Sequence, residues 1–129
     1  MILCLFSMGI RQAGVLMPKS VLVVSWEPNL GSTREMLLRG AGYFVTSAVG
    51  RTQAHSQCRF GADLLVLGHS VPPSEKKEVI ACFRQYSTGS VLSLLRSHQQ
   101  KLPEADFGVE AFDPADVVRV VRNILQNER

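Results

Sequence analysis

A chain of 129 residues, 46% hydrophobic and 19% charged, carries enough apolar material for one packed domain and no more. Its net charge of +3 is not gathered into any run of Lys and Arg, so the basic stripe expected of a nucleic-acid binder is missing. The three cysteines, Cys4, Cys58 and Cys82, are odd in number and far apart in sequence, which reads as reduced thiols of a cytoplasmic protein and not as a disulfide frame.

Met1 to Ile10 is mostly apolar but lacks a basic flank, is interrupted by Arg11 and is too short to span a bilayer. Residues 1–16 therefore read as a loose extension or a misassigned start, with the domain proper at 17–129 and no membrane segment. Val21 to Val24 is an unbroken β-branched and Leu run, suited to a strand covered on both faces. Ser25 to Asn29 follows as a loop. Leu30, Thr33, Leu37 and Ala41, widened by Met36 and Leu38, predict the inward face of a helix that Gly40 and Gly42 end. Tyr43 to Val49 predicts a second strand, and Arg51 to Phe60 a weaker helix with Ala54 and Cys58 inward. Gly61 is placed to cap that helix. His55 and Cys58 are too few ligands for a metal site.

Asp63 opens the next apolar run, Leu64 to Leu67, which stops at Gly68 and passes into His69-Ser70-Val71-Pro72-Pro73. Strand, loop, then helix is the layout that puts a binding site at the carboxyl edge of an open α/β sheet. Ser74 is placed to cap a helix with Val79, Ile80 and Phe83 inward and Tyr86 at its end. Ser90 to Leu95 predicts a fourth strand and Phe107 to Phe112 a fifth. Asp113 caps a last helix with Pro114 at its first position and an apolar face of Val117, Val118, Val120, Val121, Ile124 and Leu125. The alternation implies an α/β fold: a flavodoxin-like, doubly wound, five-stranded parallel sheet of order 2-1-3-4-5. Only Arg96 to Val109 separates Leu95 from Glu110, so the fourth helix of such a fold is shortened or lost. That loss leaves the edge near the fifth strand less covered.

Four pieces, in order, are similar to one family: residues 21–30, residues 37–45, Ala62 to Pro72, and Phe112-Asp113-Pro114. Together they resemble the receiver domain of two-component response regulators over about residues 19–126. The resemblance implies a signalling module. In that family a histidine kinase passes a phosphoryl group to an Asp after strand three. An acidic pair after strand one holds Mg²⁺, and a hydroxyl after strand four and a Lys after strand five complete the pocket. In this chain those positions fall on Ser25 and Trp26, Gly68, Leu95 and Glu110. Gly68 has nothing to phosphorylate, Ser25 and Trp26 supply no carboxylate, and Glu110 reverses the expected charge.

No substitute is evident. Asp63 lies about 16 Å from Gly68 along an extended strand. His69 stands beside the acceptor position, and Glu27 with Glu110 would be a metal pair drawn from two separate loops. Trp26 either plugs the former pocket or, with His69, is a candidate for contact with a partner. The expectation is a stand-alone receiver-like module, not an enzyme, without cofactor or metal, that binds another signalling protein, a kinase or a regulator. The alternative is a small-ligand-binding flavodoxin-like domain that uses the carboxyl-edge pocket. It is weakened because no Gly-rich phosphate loop follows strand one. No nucleophile with a base and an orienting partner is visible.

Overall fold

The computed structural model describes residues 18–110 and 113–127. The extension expected at 1–16, and Ala111 and Phe112 of the expected fifth strand, lie outside them. Strands β1 (Ser20–Ser25), β2 (Phe44–Val49), β3 (Leu64–Leu67), β4 (Ser90–Leu95) and β5 (Phe107–Glu110) form one sheet of order β2-β1-β3-β4-β5. Every pairing is parallel. Helices α1 (Pro28–Gly40), α2 (Gly50–Cys58), α3 (Pro73–Tyr86) and α4 (Pro114–Asn127) cover both faces. This is the fold class expected from the alternation of apolar runs and helical stripes.

Two apolar layers account for the unbroken strands. On one face Val21, Val23, Leu64, Val66, Leu92 and Leu94 pack with Leu38 of α1 and with Val117, Val121, Ile124 and Leu125 of α4. On the other, Leu22, Val24, Leu65, Leu67 and Val91 pack with Ala54 and Cys58 of α2 and with Val79, Ile80 and Phe83 of α3. Successive residues of a strand point to opposite faces, so a strand buried on both sides has no polar position to spare.

Several helix details differ from expectation. The buried residues of α1 are Gly31, Arg34 and Leu38, while Met36 is 67% exposed and Leu37 39%. The inward stripe is thus one step round from the apolar one, because Gly31 brings α1 close to the end of β1. A Cβ on Gly31 would lie 2.7 Å from Ser25 Oγ. Helix α3 begins at Pro73 without a side-chain cap, so Ser74 lies inside its first turn. Tyr86 is exposed at its end. At α4, Asp113 Oδ1 accepts from the Ala115 amide at 3.0 Å, the capping role expected of it.

No helix joins β4 to β5 among the described residues. A loop takes its place. It buries Ala105 against the α2–α3 layer, and Asp106 Oδ2 accepts from the Val91 amide at 2.8 Å and from Arg84 Nη2 at 3.0 Å. Along the edge so exposed, Phe107, Gly108, Val109, Val120 and Ile124 line a groove of about 660 Å³. No described helix is long and apolar enough to cross a membrane.

Candidate functional site

The carboxyl ends of β1 and β3 meet at Ser25 and Gly68. The Gly68 amide donates to the Val24 carbonyl at 2.8 Å, which fixes the loop after β3 against the end of β1. Ser25 is fully buried, and its hydroxyl donates to the Glu27 carbonyl at 3.0 Å. Trp26 is half-buried against the α2–α3 layer, and its amide donates to Ser70 Oγ at 3.3 Å. The indole therefore rests on the core of that layer, beside the carboxyl edge.

The residue that dominates this edge is one that the sequence reading did not single out. Arg34 reaches from α1 across to the β3 loop and is only 3% exposed. A Cβ built on Gly68 would lie 3.0 Å from Arg34 Nη1, 3.3 Å from the Val24 carbonyl oxygen and 3.4 Å from Ser25 Cβ. The space into which a side chain at 68 would grow is thus occupied by a guanidinium. Burial lowers the Arg34 pKa from its ordinary value, and the Glu27 charge acts in the opposite sense. Arg34 Nη2 lies 3.4 Å from His69 Nδ1. Burial, then the charges of Arg34 and Arg96, hold the His69 pKa below its ordinary value. A guanidinium has donors only, so in this contact Nδ1 is the acceptor.

A second buried cation lies on the other face. Lys76, 1% exposed, donates from Nζ to Ser93 Oγ at 2.8 Å and to the Leu94 carbonyl at 3.0 Å. Burial, with Arg96 adding repulsion, pushes its pKa down to about 8. The signal for Lys76 was present in the sequence. It lies three, four and seven residues before Val79, Ile80 and Phe83, in the same inward stripe.

Leu95 and Glu110 are register partners across β4 and β5; Leu95 ends the strand beside β3 and lines a cleft with His69, while Glu110 lies one strand further out. Leu95 is buried and would touch a Cβ on Gly108. Glu110 is exposed, and its Oε2 accepts from the His98 amide at 3.4 Å. Two strands separate β1 from β5, so Glu27 and Glu110 are roughly 14 Å apart across the sheet and do not converge. Asp63 sits at the opposite edge, where Oδ2 accepts from the Ser20 amide at 2.8 Å. Among the described residues no three His, Cys, Asp or Glu side chains come together to hold a metal. A magnesium ion does not fit between β1 and β3: the side chains there are a hydroxyl, an indole and a guanidinium. The two described cysteines do converge, since Cys58 of α2 and Cys82 of α3 interact, and burial with Cys82 nearby pushes the Cys58 thiol up to about 12.

Structural comparison identifies the architecture. The chain superimposes on a CheY-like response regulator receiver domain from Methanospirillum hungatei with a TM-score of 0.69 at 15% identity, covering 85% of this chain and 95% of that one. The receiver domain of the hybrid histidine kinase CckA gives 0.67 at 22% identity, covering 83% and 99%. The response regulator TrrA of Thermotoga maritima, solved with magnesium and beryllofluoride, gives 0.63 at 24% identity, covering 82% and 98%. The fold is that of a receiver domain. No protein-family model and no curated protein sequence matches the chain.

Proposed function

We propose that this chain is a receiver-like signalling module that works by binding another protein, a kinase or a regulator, and that it does not pass through an Asp-phosphorylated state. The observation that carries this reading is the Arg34 guanidinium packed over Gly68, where a phosphoacceptor carboxylate would have to stand. Phosphoryl transfer to a carboxylate needs that nucleophile and a cation to neutralise the phosphoryl oxygens. The end of β3 offers neither, and Ser25 and Trp26 give a hard cation no carboxylate. What remains is a rigid α/β scaffold with surfaces to present, so binding and not catalysis is the reading it favours.

Trp26 and His69 flank the remodelled edge and are the residues we assign to partner contact. Incubation with a small phosphodonor and Mg²⁺ tests the first half of the proposal: the intact mass is expected to stay unchanged, and a gain of one phosphoryl group would end it. Capture of a defined kinase or regulator by the wild type and by Trp26→Ala tests the second half. The variant is expected to lose at least tenfold in affinity, since a truncated anchor Trp typically costs about 2 kcal/mol or more. Equal capture would remove Trp26 from the interface.

A further inference from the structure

Cys58 of α2 and Cys82 of α3 face one another in the helical layer on the second face of the sheet. Cys58 Sγ donates to the Val79 carbonyl at 3.8 Å, and Cys82 Sγ donates to the His55 carbonyl at 4.0 Å. Val79 lies one turn before Cys82, and His55 one turn before Cys58. A helical side chain leans back over the turn that precedes it. Each thiol therefore reaches the turn on which the other rests, and the two side chains hydrogen-bond to one another. This reciprocal contact sets two sulfurs side by side between two helices, the placement that a disulfide requires. Their surroundings differ. Cys58 is fully buried, and burial pushes its thiol up to about 12. Cys82 is partly exposed.

We propose that Cys58 and Cys82 form a reversible oxidation site: a hydroperoxide oxidises Cys82, and Cys58 resolves the product into a disulfide that joins α2 to α3. The Cys82 thiolate attacks one peroxide oxygen and the O–O bond breaks. The hydroxide that leaves takes up the proton given up by the thiol, forming the first water. Cys58 Sγ then attacks the sulfur of the Cys82 sulfenic acid. The S–S bond forms as the S–O bond breaks, and the Cys58 proton leaves with the oxygen as the second water. Two thiols lose two electrons, and one hydroperoxide gains them. A buried, protonated Cys58 does not meet peroxide itself, which suits a resolving thiol and not a first nucleophile. A small thiol reverses the link by exchange. The cross-link closes a loop from α2 through β3 to α3, so oxidation ties these elements together. The inference stands whether or not the chain binds a partner.

The full chain is treated with hydrogen peroxide beside glutathione as an internal standard. Its remaining thiols are alkylated in denaturant, and it is digested with trypsin without reduction. Residues 52–59 and 78–84 are expected in one cross-linked peptide, two hydrogen atoms lighter than the separate pair, which dithiothreitol splits. In Cys82→Ser, loss of the Cys58 thiol should be at least about tenfold slower. In Cys58→Ala, Cys82 should instead gain oxygen as sulfenic or sulfinic acid. Should Cys58→Ala not fold, the wild-type map and Cys82→Ser decide the matter. Four results would each overturn the proposal: both thiols free once the glutathione is fully oxidised, a Cys82 sulfinic acid beside a free Cys58, a disulfide from either residue to Cys4 in place of their own, or a Cys58 thiol lost as fast in Cys82→Ser as in the wild type.

Discussion

Two buried cations decide the character of this molecule. A Cβ on Gly68 would meet Arg34 Nη1 at 3.0 Å and the Val24 carbonyl oxygen at 3.3 Å, so Gly68→Ala crowds the guanidinium and is expected to cost about 1–3 kcal/mol. The cost should shrink when Arg34→Ala is added, and denaturant melts of the four-member cycle check it. Lys76 makes a separate prediction. Its folded pKa of about 8 lies below the ordinary 10.5. Between those values the unfolded chain holds a proton that the folded one has released, so stability from this group rises with pH across that window and is lowest below it. Lys76→Met is expected to be about 1 kcal/mol or more stabler at pH 7, and to flatten the rise between pH 8 and 10.5. Melts at pH 7, 8, 9 and 10 compare the two proteins, and parallel curves would refute the assignment.

At the level of elements, the sequence was most legible where burial is complete. The runs Val21 to Val24 and Leu64 to Leu67 could only be strands covered on both faces, and so they are. Helix α1 was legible as a helix but not in its orientation. Its apolar residues Met36 and Leu37 point outward, while Gly31 and Arg34, with nothing hydrophobic to mark them, point in. A pattern of apolar spacing cannot find an inward Arg, because its reason to be there is a space left by Gly68 in the loop after β3. The β4–β5 link was legible through its length alone, which leaves no room for a helix with two loops. What holds that loop is Asp106, which serves both the Val91 amide and Arg84. Asp106→Ala leaves the Val91 amide without that acceptor and is expected to cost about 1–3 kcal/mol. Hydrogen exchange should show faster opening at Val91. An unchanged rate there would mean that the loop is held by Ala105 instead.

Across the whole molecule, the parallel sheet of the receiver fold is kept, and Ser25, Trp26 and Arg34 stand at its carboxyl edge. The order of strands, the parallel register and the two apolar layers match what the sequence implied. The arrangement at the carboxyl edge was not legible, because it is assembled from α1, the β1 and β3 loops and the end of β4, and no local stretch carries all of them.

The most direct measurement is a crystal structure of the chain grown with magnesium and beryllofluoride, the combination held by the Thermotoga maritima receiver. The space between the ends of β1 and β3 should contain neither ion, with the Arg34 guanidinium still over Gly68. Beryllofluoride and magnesium bound there, with Arg34 displaced, would contradict the account.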